Sequence, residues 1–163
     1  MPIISTDIQY RLSGGASNAV TASSLGGVKS SVAASNYFDD VSSAEAGTGD
    51  TEYRCIYVHN NHGTLSLIGA KVFIQANTPS SDTDVAIGLG SSAINGTEQT
   101  VADESTAPTG VSFSAPTTFA GGLTIGDLAA GAHKAVWVRR TVNAGAAAYS
   151  DSFTLRVQGD TNP

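Results

Sequence analysis

Apolar and polar side chains alternate in several short segments of the chain, and this alternation predicts where the strands lie. Residues 52–59, for example, place Tyr53, Cys55 and Tyr57 on one side of the backbone and Ile56 on the other. A period of two residues is that of a β-strand, in which successive side chains point to opposite faces. By this pattern we expect strands at 5–12, 52–59, 64–68, 70–76, 84–89, 133–142 and 152–158.

Turns rich in glycine and asparagine separate these segments, and no helical period of useful length interrupts them. Gly69 is expected to make a bulge or bend between 64–68 and 70–76, because glycine within a strand pattern often marks one. The segments 98–102 and 111–113 are the candidates for short edge strands. Strands at this spacing with glycine-rich turns are typical of an antiparallel sandwich. The pattern therefore predicts an all-β protein, an antiparallel β-sandwich of immunoglobulin-like or jelly-roll type.

Residues 1–50 differ from the rest of the chain in composition. After the strand predicted at 5–12, residues 13–50 are rich in Gly, Ser and Ala, which favour irregular backbone. A loop this long is uncommon inside a compact domain, so we divide the chain into an N-terminal strand with an extended arm (1–50) and a sandwich (51–163). The arm has two arrangements open to it: packing on a neighbouring subunit, or folding over its own sandwich. The side chains that would anchor it on a neighbour are Tyr37, Phe38 and Val41.

The low and negative charge of the chain argues against some classes of partner. Only 13% of the residues are charged and the net charge is −6, whereas charged residues make up about 25% of an average soluble domain. An acidic chain lacks the basic face that binds phosphates, so we expect no nucleic-acid partner. The N-terminus has neither the basic nor the apolar region of a cleaved signal peptide, and no apolar run approaches the ~20 residues that span a bilayer. We therefore expect no membrane partner.

Candidate chemistry is sparse. His59 and His62 have a spacing seen in metal sites, but zinc needs three or four protein ligands and no Cys/His motif accompanies the pair. The acidic pairs Asp39-Asp40 and Asp82/Asp84 lack the spaced oxygen ligands of a calcium loop and are expected to be solvated. The sequence holds no recognisable nucleophile elbow or phosphate-binding loop. We expect neither an enzyme nor a bound cofactor or metal.

Three residues in the strand predicted at 133–142 have competing interpretations. Arg139 and Arg140 are adjacent, so they point to opposite faces of the strand. Each either caps the edge of the sandwich through a salt bridge or an aromatic ring, or contacts a neighbouring subunit. Trp137, the only tryptophan, either fills the core or stacks on a sugar at the surface. Cys55, the only cysteine, is expected to be a small buried side chain.

The runs LTIGDLAAGAHKAVWVRRTVNAGAAAY and FTLRVQGDT, together with TEYRCIYVHNNHGTLSLIGAKVFIQANTPS, resemble small virion structural proteins of tailed bacteriophages. The resemblance implies a capsid decoration (cement) protein that is made in the host cytoplasm and bridges capsomers on the outer surface of the phage head. Its implied partners are the major capsid protein and neighbouring copies of itself, as a trimer or dimer. A tail- or fibre-associated module that binds a receptor or glycan is the alternative. That alternative needs exposed aromatic rings, for which the candidates are Tyr53, Tyr57 and Trp137.

Overall fold

The computed structural model describes residues 2–147 and 151–161, and in them the protein is nearly all-β, as predicted. The strands are β1 (Ile8–Leu12), β2 (Gly26–Gly27), β3 (Asp50–Asn60), β4 (Leu67–Ala76), β5 (Thr83–Leu89), β6 (Glu98–Thr100), β7 (Leu123–Leu128), β8 (His133–Val142) and β9 (Thr154–Thr161). One short helix, α1 (Ser43–Thr48), precedes β3, and single 3-10 turns lie at Ser5–Asp7 and Thr21–Ser23. No helix in these ranges is both long enough and apolar enough to cross a membrane.

The strands form three antiparallel sheets. The first has the order β1-β3-β8-β5, the second β7-β4-β9, and β2 pairs with β6 in a small third sheet. In the centre of the first sheet, β3 and β8 pair along ten residues, so that Ile56 faces Val136 and Arg54 faces Val138. The central strands β3 and β8 each have a strand on both sides, which leaves only β1 and β5 at the edges of this sheet.

The main core lies between the first and second sheets. One face of the first sheet contributes branched aliphatic side chains, including Ile56 and Val136, and the second sheet contributes Val72, Ile74 and Leu155. These residues are buried because the period-two pattern brings them to the same face of each strand. This arrangement of two facing antiparallel sheets is consistent with the predicted β-sandwich.

The opposite face of the first sheet is buried as well. Cys55, Tyr57, Ala135 and Trp137 form a second cluster on this face and are fully inaccessible to solvent. Residues 13–33 and 90–114, including the β2–β6 sheet, cover them. We call these two segments the outer layer.

Residues 13–50 fold back over their own sandwich, which is the second of the two arrangements that the sequence left open. Backbone hydrogen bonds join Leu12 to both Val32 and Ser30, and Ala34 to Tyr10, so the segment pairs with the free edge of β1. An uncovered edge would leave a row of backbone donors and acceptors unpaired. Since β1 itself pairs with β3, the N-terminal strand is part of the sandwich.

Local differences from the predicted elements have simple causes. Gly69 has a φ of 59° and the pairing of β4 shifts register around it, as expected for a bulge, but the strand continues through it. Residues 111–113 form no strand, although Ser114 makes a single antiparallel bridge to Ile87. Helix α1 was not predicted. Its N-terminus is a capping box between Ser42 and Glu45, and six residues are too few to show a helical period.

Candidate functional site

A cavity of about 1090 Å³ opens between residues 35–47 and the neighbouring ends of β8 and β9. Four of the five residues predicted to contact a partner line it: Tyr37, Phe38, Val41 and Arg140. Pairing of β8 with β3 and β5 places Arg140 at the base of the cavity, whereas residues 35–47 form one wall. The fifth predicted residue, Arg139, does not line it. We call this space the arm cavity.

A network of charged side chains forms the base of the arm cavity. Glu52 and Arg140 are direct cross-strand partners, and Arg140 Nε donates to Glu52 Oε2 at 2.6 Å. Arg140 Nη1 also donates to the backbone oxygen of Asp39, at 2.6 Å. Fully buried Arg54 binds the Glu104 carboxylate and lies 3.5 Å from Asp39 Oδ1. These contacts tie the wall of the cavity to the first sheet.

Phe38 is held between the two arginines. Its ring centroid is 5.6 Å from Arg54 Cζ and 4.8 Å from Arg140 Cζ, within the range of cation–π attraction. The side chain is only 6% exposed. Phe38 is therefore part of the core of its own chain, and to anchor on a neighbour it would first have to leave this position.

Tyr37 is the second aromatic residue of this wall. Its ring lies 5.5 Å from that of Phe153 and 6.4 Å from that of Tyr10. Burial raises the pKa of the Tyr37 hydroxyl, and the neighbouring Tyr10 adds to the effect. Tyr37 therefore stays neutral and acts here as a packing residue with a polar tip.

The carboxyl groups around the cavity are in different electrostatic states. Burial raises the pKa of the Glu52 carboxyl, although the adjacent Arg140 and Arg54 oppose this effect. At the rim, hydrogen bonds from the Ser80 and Thr83 hydroxyls lower the pKa of Asp151. The cavity thus combines a shielded acidic group at its base with an ionised, solvated one at its rim.

Arg139 lies on the opposite face of the first sheet, as its position next to Arg140 requires. Its guanidinium carbon is 5.3 Å from the centroid of the Phe113 ring. Arg139 therefore caps an aromatic ring, which is one of the two interpretations that the sequence allowed, and that ring belongs to the outer layer. Contact of Arg139 with a neighbouring subunit stays a prediction, as it does for Tyr37, Phe38, Val41 and Arg140.

The histidines of the sequence do not come together as a pair of ligands. His62 Nδ1 accepts hydrogen bonds from the backbone of Thr64 and Leu65, whereas His59 faces His133 across the β3–β8 pairing at a ring distance of 6.4 Å. Desolvation, together with the positive charges of Lys29 and Arg11, lowers the pKa of His59 to about 4. Such a cationic setting disfavours a metal ion.

The aromatic rings proposed for glycan stacking do not form an exposed platform. Trp137 and Tyr57 are 0% exposed, and Tyr53 packs at 5.5 Å against Phe113. Trp137 fills the space between the first sheet and the outer layer, with its indole nitrogen 3.4 Å from Glu98 Oε1. It is thus a core residue of the outer face and does not lie between the two large sheets.

Glu52 and Arg54 are the site residues that the sequence did not predict. Both occupy positions on the inner face of β3, where the period-two pattern alone predicts apolar side chains. The sequence did contain one signal of this network: two charged residues stand at alternate positions of an otherwise apolar strand face. Because buried charges occur almost only in pairs, such residues indicate a buried ion pair.

No protein-family model, no curated protein and no solved structure matches the chain.

Proposed function

We propose that the protein is a structural virion protein of a tailed bacteriophage, of the capsid decoration type, which binds the outer surface of the head and bridges capsomers. The observation that supports this most is the arm cavity, around which Tyr37, Phe38, Val41 and Arg140 meet. The phage assignment itself comes from the sequence resemblance. The cavity adds a surface through which such a protein would bind.

The lining of the arm cavity suits a peptide segment of a partner protein. Apolar groups such as Val85, Val142 and Leu155 lie beside hydroxyl-bearing groups such as Thr78 and Thr83. Specific protein interfaces likewise combine an apolar centre with a polar, hydrogen-bonding rim. At about 1090 Å³ the space is slightly larger than common small-molecule sites, which are ~300–1,000 Å³. We infer that a loop or terminus of the major capsid protein, or of a second copy, inserts there.

Burial of the first sheet on both faces favours a structural role. A sheet covered on both sides is held by packing along its whole length and presents its loops in fixed positions. Repeated on a symmetric shell, such a rigid unit gains avidity from many modest contacts. The low fraction of charged residues in the chain, 13%, suits close packing between neighbouring proteins.

Binding to purified heads tests the proposal. Heads of the phage or prophage that encodes the chain, prepared without this protein, are mixed with increasing amounts of it and sedimented. We expect saturable co-sedimentation in a fixed ratio to the major capsid protein. A substitution at the exposed cavity residue Asp40, Asp40→Lys, is expected to weaken binding about tenfold, by analogy with truncation of a moderate interface contact.

The matched control is Asp160→Lys, which makes the same charge change at an exposed position of β9 outside the arm cavity. It should bind heads like the unmodified protein. Absence of binding at concentrations of ~10 µM, where even weak specific complexes form, would rule out the decoration role. Equal loss of binding in both variants would show that the arm cavity is not the contact.

A further inference from the structure

Three carboxylates meet beside the arm cavity, on the side of helix α1. Glu45 lies in α1, and Asp50 and Glu52 lie two residues apart at the start of β3, so the latter two share a face of the strand. One oxygen atom from each of the three side chains lies within 4.8 Å of the others. We call this group the α1–β3 triad.

Each carboxylate of the triad accepts a hydrogen bond on one of its two oxygens. Ser42 N donates to Glu45 Oε2 at 2.6 Å, Thr51 N donates to Asp50 Oδ1 at 2.7 Å, and Arg140 Nε donates to Glu52 Oε2 at 2.6 Å. For the second oxygen of each, residues 2–147 and 151–161 supply no hydrogen-bond donor. Metal-binding carboxylates are commonly oriented in this way by hydrogen bonds from neighbouring groups.

Glu52 provides an independent indication of a missing ligand. Its side chain is 1% exposed, and its Oε1 atom is shielded from solvent without a hydrogen-bond partner among the described residues. Arg54 Nη2 is 3.8 Å from this oxygen, which is beyond hydrogen-bond distance. Buried polar atoms in folded proteins almost always have a partner, so an orphaned carboxylate oxygen calls for one.

The local charge also favours a cation. Five carboxylates (Asp39, Glu45, Asp50, Glu52 and Glu104) surround two guanidinium groups, those of Arg54 and Arg140, which leaves three negative charges in excess. Within the described part of the chain, neither Glu45 nor Asp50 takes part in an ion pair. Burial raises the pKa of Glu52 in spite of both arginines. The two arginines therefore do not fully compensate the cost of burying its ionised form.

A second acidic group nearby shows the contrast. One oxygen each from Asp39, Glu52 and Glu104 also lies within 4.8 Å of the others. There, however, Arg54 binds Glu104, lies 3.5 Å from Asp39 Oδ1 and 3.8 Å from Glu52 Oε1, and so places a cation among the three carboxylates. In the α1–β3 triad, by contrast, only Glu52 lies beside arginines, and Glu45 and Asp50 have no cationic partner among the described residues.

We propose that the α1–β3 triad binds a divalent cation, with Glu45, Asp50 and Glu52 as its side-chain ligands. Carboxylate oxygens are ligands for hard cations, and calcium tolerates the irregular geometry of ligands drawn from a short helix and a strand end better than magnesium does. Backbone carbonyl groups and water complete the coordination. The ion would join α1 to β3 and so fix the residues that form one wall of the arm cavity. The site stands independently of the proposed function.

Calorimetric titration of the full-length, chelator-treated protein with calcium chloride tests the proposal. We expect one saturable site and an increase in the midpoint of thermal unfolding, since a ligand that binds only the native state stabilises it. Glu45→Gln, which retains an oxygen acceptor for the helix cap, and Asp50→Asn are each expected to weaken calcium binding at least tenfold, the loss typical of a disturbed metal site.

Two controls make the result specific. Asp160→Asn removes a carboxylate from an exposed site on β9 and should bind calcium normally. Glu104→Gln removes a carboxylate from the group around Arg54 and should also leave the affinity unchanged. Circular dichroism of each variant without calcium establishes that it is folded. No heat and no thermal shift at about 10 mM calcium, beyond the weakest physiological sites, would overturn the proposal. So would undiminished binding in folded Glu45→Gln and Asp50→Asn.

Discussion

The two faces of the first sheet are buried by different means. On the inner face, Ile56 and Val136 pack against aliphatic residues of the second sheet. On the outer face, Tyr57 and Trp137 pack under the irregular outer layer. Four of the protein's buried polar residues, Ser13, Ser24, Ser30 and Glu98, belong to that layer.

The difference follows from what covers each face. In a second sheet the backbone groups form hydrogen bonds between neighbouring strands, so the sheet needs only a complementary shape to pack against the first. An irregular segment cannot do so, and every buried backbone group in it needs another partner. Accordingly Tyr57 Oη donates to Gly27 O at 2.6 Å and accepts from Glu98 N at 3.0 Å. A few directional contacts thus replace a regular interface.

Glu98 shows how far the outer layer depends on polar contacts. Burial by itself would raise the pKa of its carboxyl, but hydrogen bonds from Ser92 and Ser91 outweigh this effect and lower the pKa to about 2. The ionised side chain therefore persists under the outer layer, where it also lies 3.4 Å from the Trp137 indole nitrogen.

The largest expected effect is on the inner face. Ile56→Ala removes a fully buried side chain and leaves a cavity between the two sheets. We expect a loss of about 4 kcal/mol in the free energy of unfolding, as for other large-to-alanine core substitutions. Urea denaturation followed by circular dichroism measures it. A loss below about 1 kcal/mol, the effect of a surface change, would show that the facing sheets do not form the main core.

The adjacent arginines give a matched comparison of the two faces. Arg140→Met leaves Glu52 buried without its closest cation, so we expect a loss of about 3 kcal/mol in unfolding free energy. Arg139→Met removes only a stacking contact with Phe113 and should cost about 1 kcal/mol or less. The same denaturation assay checks both. Equal losses in the two variants would contradict their assignment to differently buried faces.

A smaller effect is expected from the tyrosine hydroxyl of the outer face. Tyr57→Phe keeps the ring but removes the hydroxyl shared by Gly27 and Glu98. Because two backbone groups would lose this partner, we expect a loss of about 1–2 kcal/mol in the free energy of unfolding. Amide hydrogen exchange should quicken mainly in residues 13–33 and 90–114. Exchange that quickens equally in β4 and β7 would show that the outer layer has no separate stability.

The smallest effect concerns pH. The pKa of His59 is about 4 in the folded protein and is expected to be near 6.5 in the unfolded chain. The unfolded state therefore binds more protons between these values. The contribution of neutral His59 to the free energy of unfolding is therefore fully present above pH 6.5 and is lost as pH falls towards 4. Urea midpoints measured from pH 7 to 4.5 should fall less in His59→Gln than in the unmodified protein. Identical pH profiles would exclude this role for His59.

Strand positions could be predicted from the sequence because period-two patterns are local. Residues 133–142 coincide with β8, and 84–89 lies within β5. The bulge at Gly69 was also visible, since glycine is the residue that most readily adopts positive φ. Packing of residues 13–50 was not predictable. Their backbone pairs with β1 and β3 through contacts that carry no periodic signal.

The candidate site was only partly predictable for the same reason. Tyr37, Phe38 and Val41 were identified as apolar side chains in a polar segment, and the structure brings them to one cavity with Arg140. The charged network was not identified, because it depends on the register that sets Glu52 opposite Arg140. A one-residue slip would place them on different faces, and register is fixed by contacts distant in sequence.

Reactivity of the single thiol tests most directly whether residues 13–50 pack on their own sheet. Cys55 is 0% exposed, Ser13 Oγ donates to its backbone oxygen at 2.7 Å, and its amide donates to Ser24 O at 2.8 Å. Burial raises the pKa of the thiol, so the reactive thiolate is scarce as well as covered. Ellman's reagent added to the isolated native protein should modify Cys55 only at the rate of unfolding, and completely in urea. Rapid modification of the native protein would show that the segment stands away from the sheet, and would contradict this account.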